Sequence, residues 1–193
     1  MRLKVLSATL LLMTSMQIQS ADKEGRFAVK GAGVTNCKSY HQEWQADSKV
    51  FFAYAGWMEG YLTATNQYLT ETYDIVPWQN TKLLAALVAN HCEKHPDLPF
   101  LTAVRSMVQS LQPSRLQESS VLVMAQSETK GIRIYREVLR QLQQRLKELK
   151  LYQGEIDGIY GDGTRAAVTE FQKSKNIEVN GLPDQATLLT LLQ

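Results

Sequence analysis

Gly154–Thr164 reads GEIDGIYGDGT and Val179–Leu192 reads VNGLPDQATLLTLL, and these two stretches carry one pattern. Ile156, Asp157, Gly158, Ile159, Thr164 and Val168 recur 23 residues later as Val179, Asn180, Gly181, Leu182, Thr187 and Leu191. Asp or Asn followed by Gly makes a tight turn in which glycine takes positive φ. Six residues on, Thr is expected to cap the next helix by accepting a backbone hydrogen bond. A constant offset over six positions implies two copies of one turn–helix unit.

Upstream of the first turn, Val138, Leu139, Leu142, Leu146 and Leu149 share one face of a helix that begins at Arg136. After it, Ala167, Val168 and Phe171 define a second helix, and the tail a third. The stretch LQQRLKELKLYQGEIDGIYGDGTRAAVTEFQ (142–172), followed by VNGLPDQATLLTLL, resembles the peptidoglycan-binding domain found on bacterial wall hydrolases and wall-associated proteins. Leu142 and Gln143 stand at the family's first-helix pair. Asp157, Gly158, Gly161, Thr164, Ala167, Val168, Phe171 and Gln172 follow its central motif, and Gly181 and Thr187 its second half. The resemblance covers 136–193 and implies a three-helix fold with two pseudo-repeats that binds cell-wall polymer and performs no chemistry.

Two positions depart from that pattern. Lys150 stands where the family commonly has Gly after the first helix, and a left-handed cap without Gly costs on the order of 1 kcal/mol. Asp184 stands where the second repeat would usually have a glycine. The candidate peptidoglycan-binding residues are Tyr152, Asp157, Gly158, Tyr160, Asp162 and Arg165, around the first turn. Aromatic faces stack on sugar rings, and Arg pairs with the carboxylates of muramic acid or stem peptide. Tyr160 as a hydrophobic anchor and Asp162 as a turn residue are the competing readings.

The N-terminal half reads as a second small helical domain, residues 31–112. Val50, Phe51, Tyr54, Trp57, Met58, Tyr61, Leu62, Tyr68 and Leu69 recur at helical spacing between Asp47 and Tyr73. Further helices run from Asn80 or Thr81 to Lys94 and from Phe100 to about Leu111, where Pro113 stops the chain. Between the domains, residues 113–135 are either a linker or a short β-hairpin pairing VLVMA with GIRIY. A cysteine before the aromatic helix with WMEGYL, and a second in NHCEKHP, resemble the HdeA-like periplasmic helical proteins, a group of acid-stress chaperones and immunity proteins. The aromatic stripe of Phe51, Tyr54, Trp57, Tyr61 and Tyr68 is expected to be mostly core, with a surplus available to a periplasmic protein partner.

Residues 1–21 read as an export signal: Arg2 and Lys4 precede an uncharged run of about 12 residues, Val5 to Met16, short of the ~20 that span a bilayer. Ser20 and Ala21 offer the cleavage point. An uncleaved anchor is the alternative. Export accords with two cysteines, Cys37 and Cys92, joined as a disulfide. Without Arg2 and Lys4 the basic count falls from 21 to 19 and equals the 19 acidic side chains, which argues against nucleic-acid binding.

No catalytic, cofactor or metal site is expected. His91 and His95 lie four apart, but Cys92 occupies the place where a zinc hydrolase of the HExxH type needs Glu. Glu43, Asp47 and Glu59 read as solvated helix carboxylates. The expectation is therefore a mainly α protein of two small helical domains, periplasmic and wall-associated, non-enzymatic, with no transmembrane segment. A wall hydrolase with an unrecognised catalytic domain and an immunity or inhibitor protein are the alternatives.

Overall fold

A computed structural model describes residues 21–127 and 130–193. The export signal expected over 1–21 falls, apart from Ala21, outside the described residues. The chain divides into two units, residues 1–30 and 31–193. In the described part of the first, the Asp22 carboxylate accepts the N–H groups of Glu24 and Arg26, and Arg26 pairs with Asp22 and Glu24.

The second unit is mainly α. After a 3-10 turn at Gly31–Val34 come α1 (Cys37–Gln45), α2 (Phe51–Tyr68), α3 (Thr81–Lys94) and α4 (Phe100–Leu111). A hairpin of β1 (Leu122–Gln126) and β2 (Gly131–Tyr135) leads directly into α5 (Arg136–Glu148), α6 (Asp162–Ser174) and α7 (Gln185–Leu192). Val123 faces Ile134 and Ala125 faces Ile132 in the antiparallel register, so the segment between the helical regions is a hairpin.

Helix α1 escaped the periodicity argument because CKSYHQEWQ buries only Cys37 and Tyr40. Cys37 thus opens the first helix instead of preceding it, and Asn36 caps that helix by accepting the Ser39 N–H. Helix α2 is shorter than the apolar pattern suggested. Asp47 takes a left-handed φ of 46° ahead of it, and in its last turn the Asn66 side chain accepts the Ile75 N–H of the following loop. Helices α3 and α4 run where the periodicity places them.

The first core gathers Tyr40, Tyr54, Met58, Val88, Phe100 and Val104. The Phe100 ring lies 4.7 Å from that of Tyr40 and 5.0 Å from that of Tyr54, and the Tyr40 hydroxyl donates to the Ala85 carbonyl. Of the aromatic stripe, Tyr54 is buried, Phe51, Trp57 and Tyr61 are half-buried, and Tyr68 is exposed. The Cys37–Cys92 disulfide closes 55 residues and ties the start of α1 to the end of α3. In the chain-entropy picture a loop of that length stabilises the fold by ~4 kcal/mol.

The second core is built from α5, α6, α7 and the hairpin, through Leu139, Leu142, Phe171, Leu188 and Ile134. Leu149, expected on the same face of α5, is instead exposed at its C-terminal end. Trp78, from the loop before α3, is also buried in this core. Gln185 fixes that loop. Its side-chain oxygen accepts the Asn80 N–H, and its amide donates to the Trp78 carbonyl. Loop 69–80 therefore links the two cores, a role that no periodic pattern announces.

Helices α5 and α6 end in the same way. Leu151 N–H returns to the Leu146 carbonyl and Lys150 N–H to Lys147, while Ile177 and Asn176 repeat these bonds to Gln172 and Lys173. These are Schellman closures, with Leu151 and Ile177 packed on the core behind them. They require left-handed residues, and Lys150 (φ 62°) and Asn176 (φ 52°) supply them. Asn tolerates this region better than Lys. Lys150→Gly is therefore expected to stabilise the protein by ~0.5–1 kcal/mol, read from denaturant or thermal unfolding, and Asn176→Gly by less.

Candidate functional site

Each turn of the repeated motif is held by one glutamine, buried in the helix that precedes it. Gln143 on α5 is fully buried. Its amide donates to Asp157 Oδ1 (2.9 Å), the Ile159 carbonyl (3.1 Å) and Thr164 Oγ1 (3.2 Å), and its oxygen accepts the Gly158 N–H (2.8 Å). Gln172 on α6 makes the corresponding set. Its amide donates to Asn180 Oδ1 (2.9 Å), the Leu182 carbonyl (3.0 Å) and Thr187 Oγ1 (2.9 Å), and its oxygen accepts the Gly181 N–H (2.9 Å). A buried amide left unpaired costs about 1–3 kcal/mol. Here both ends of both carboxamides are met, and each glutamine fastens a turn and the next helix to its own helix.

The turn residues complete the bracket. Asp157 Oδ1 also accepts the Ile159 N–H, and Asn180 Oδ1 the Leu182 N–H. Gly158 has φ +71° and Gly181 φ +62°. A Cβ on Gly158 would sit 2.4 Å from Arg136 Cγ and 2.7 Å from the Arg136 carbonyl oxygen. Only glycine lets this turn lie flat on α5.

The threonines do not cap their helices. Gly161 and Asp184 occupy the N-cap positions, and Thr164 and Thr187 lie three residues further in, buried. Thr164 gives its hydroxyl proton to the Ile159 carbonyl while accepting from Gln143. Thr187 is itself capped, its N–H donating to Asp184 Oδ1 at 2.8 Å. The Asp184 departure thus gives α7 a capping carboxylate that Gly161 cannot give α6.

The six candidate residues separate into two groups. Tyr152, Asp157 and Gly158 collect around Gln143. The Tyr152 hydroxyl donates to the Glu155 carbonyl at 2.9 Å and receives a long contact from the Gln143 amide. Hydrogen bonds from Gln143 and then from the Ile159 N–H hold the Asp157 carboxyl below its ordinary 3.8. Asp162 and Arg165 lie elsewhere, in a groove of about 650 Å³ bounded also by Thr169, Glu170, Asn180 and Gly181. Arg165 reaches Asp162 Oδ1 at 2.7 Å, the Arg165 side chain being partly exposed and that of Asp162 almost fully so. Tyr160 connects the turns, its hydroxyl donating to the Gly181 carbonyl at 2.7 Å. Burial raises that phenol well above its ordinary range. The Tyr160 ring is an inter-repeat tie more than an open stacking platform.

The groove offers the Arg165 guanidinium, two carboxylates and the Thr169 hydroxyl within one concave surface, while the Asn180 carboxamide is spent on Gln172, Leu182 and Asp184. Such a set suits a hydroxyl- and amide-rich polymer. Sequence reading missed Thr169, Glu170 and Asn180 as groove residues, and the roles of Gln143 and Gln172. One signal was available: each glutamine directly follows a core residue, Leu142 or Phe171, on an otherwise apolar stripe.

Outside this module, Glu59 accepts the Thr81 hydroxyl and Glu43 the Ser48 hydroxyl. The rings of His91 and His95 are 4.8 Å apart, and no group of three metal-ligating side chains occurs among the described residues.

Residues 136–191 match the family described as "Putative peptidoglycan binding domain". The spore cortex-lytic enzyme of Oceanobacillus iheyensis is 43% identical over 53 residues, 28% of this chain and 19% of that protein. The chain therefore aligns with under a fifth of that relative's length. No solved structure matches.

A carboxyl whose folded value is depressed contributes stability above its unfolded value and loses it as pH falls through the folded one. Asp157 is such a group, so thermal stability should fall as the solution is acidified below about pH 4. Asp157→Asn is expected to flatten this part of the profile while keeping the fold, because neutral Asn180 does the same work in the second repeat. Melting curves of both proteins between neutral pH and pH 2.5 measure the difference.

Proposed function

We propose that this is an exported, wall-associated protein that residues 136–193 hold on peptidoglycan while the N-terminal helices serve as a non-enzymatic interaction domain. The observation carrying this reading is the coincidence of the family match with the twice-repeated glutamine bracket, which frames the groove of Asp162, Arg165 and Asn180. Periplasmic location is supported by the basic–apolar leader together with a bonded cysteine pair. Among the described residues no helix is long and apolar enough to cross a membrane.

In the proposed mechanism the groove binds by hydrogen bonding and shape. Residues 136–193 contain eight basic and eight acidic side chains, so long-range attraction to an anionic polymer is slight. Among the described residues Arg165 supplies the guanidinium of the groove, oriented by Asp162 toward carboxylates of the wall polymer. The N-terminal region resembles the HdeA-like group in its cysteine and aromatic pattern, and its exposed Phe52 and Tyr68 stand at opposite ends of the exposed face of α2. That face is the proposed contact for a protein partner, including a wall-cutting enzyme held in check.

A second reading is favoured by the name of the cortex-lytic relative: the N-terminal region would then cut the wall that the module binds. Zymography on murein separates the two, since clearing that survives purification and disappears with a point substitution in residues 31–112 supports the enzyme.

The reading as a wall-binding protein is tested by sedimenting the full chain with purified sacculi. Retention is expected, weakening only modestly between low and physiological salt, and Arg165→Ala should lower it about tenfold. Failure to sediment, or binding abolished by moderate salt with Arg165→Ala behaving as wild type, contradicts it.

A further inference from the structure

Gln143, Gln172 and Gln185 all spend their carboxamides on internal partners, but Gln79 does not. It is 7% exposed, and its oxygen has a long contact of 3.4 Å from the Trp78 N–H. Its Nε2 is buried without a partner. An unmet buried donor destabilises the fold and calls for an acceptor from elsewhere.

Gln79 lines a cleft of about 430 Å³ between the loop before α3, the hairpin and the start of α7. That volume is in the range of small-ligand sites, roughly 300–1,000 Å³. Val76, Pro77, Trp78, Ile132 and Pro183 give it apolar walls, and Arg133 is exposed among its lining residues. Arg133 has no carboxylate partner among the described residues. Asn80 and Asp184, the N-caps of α3 and α7, also line the cleft; the N-terminus of α3 adds partial positive charge, while at α7 the Asp184 carboxylate offsets it. The Asp184 carboxylate is occupied by the Asn180 amide and the Thr187 N–H. No lining residue is shared with the groove at Arg165.

An apolar cleft with one unmet N–H donor and one guanidinium that has no carboxylate partner among the described residues matches a short peptide that has small apolar side chains and a free C-terminal carboxylate. We infer that this cleft is a second binding site, for the carboxylate-terminated end of a wall stem peptide. Gln79 Nε2 donates to a peptide carbonyl after its carboxamide turns about the last side-chain torsion, which is broad in glutamine. Arg133 takes the terminal carboxylate, and the Pro77, Trp78 and Ile132 walls receive the methyl groups. The choice of the wall as source rests on the function proposed above, whereas the demand for an acceptor does not.

The test is a nitrogen-15 NMR titration of the full chain with N-acetyl-D-alanyl-D-alanine, its L,L counterpart and an N-acetylglucosamine trimer. The D,D peptide is expected to shift the Gln79 side-chain amide and the Trp78 indole. Gln79→Met and Arg133→Ala should each weaken that binding about tenfold. Gln79→Met should melt no lower than wild type, because the substitution removes an unpaired donor, and it should still sediment with sacculi through the separate groove. Shifts by the D,D peptide in a protein that fails to sediment would leave this site standing and remove the groove. Wild-type binding by both variants, a strongly destabilised Gln79→Met, no shifts with the D,D peptide, equal shifts with the L,L peptide, or shifts at these groups with the sugar trimer alone would overturn the assignment.

Discussion

The C-terminal module depends on the buried carboxamide of one glutamine per repeat. Gln143 and Gln172 each pin a turn, a following helix and their own helix with a single planar group. Burial makes the arrangement stringent: an amide out of water is tolerated only when its donors and acceptor are all met. The partners are therefore constrained as a set. A carbonyl-bearing or carboxylate side chain must stand at 157 and 180, glycine must follow it so that the turn can lie against the helix, and a hydroxyl must arrive six residues later.

This explains why the repeat was legible in sequence while its mechanism was not. Identity at a fixed offset exposes Asp157, Gly158 and Thr164 beside Asn180, Gly181 and Thr187 without any structure. The glutamines stand 29 apart, not 23, because Gln143 lies three residues further from the end of its helix than Gln172 does and the loop before the first turn is three residues longer. They fall out of register with the pattern they hold together. The threonines were recognisable as important, but a hydroxyl near a helix start suggests a cap, and only the geometry shows that it faces inward to the glutamine. Tyr160 was open between stacking ring and anchor, and its bond to the Gly181 carbonyl makes it an anchor.

In the N-terminal half, amphipathic helices with a strong apolar stripe could be read, and α1 could not. Its nine residues bury only two side chains, and it is placed by the disulfide and by Tyr40 reaching the Ala85 carbonyl. Trp78 was equally silent, since a lone aromatic in a Pro-containing loop carries no period. Yet Trp78 and Gln185 bring loop 69–80 against the second core. The N-terminal helices and the C-terminal module thereby share one folded unit.

The central claim is that the two glutamine brackets make the turns as rigid as the helices. Amide hydrogen exchange of Gly158 and Gly181, whose N–H groups point at Gln143 and Gln172, tests it most directly. Both amides should exchange as slowly as those of Val168 and Phe171 in the middle of α6, opening only when the module unfolds. Exchange within seconds, at the pace of an exposed loop, would contradict the account.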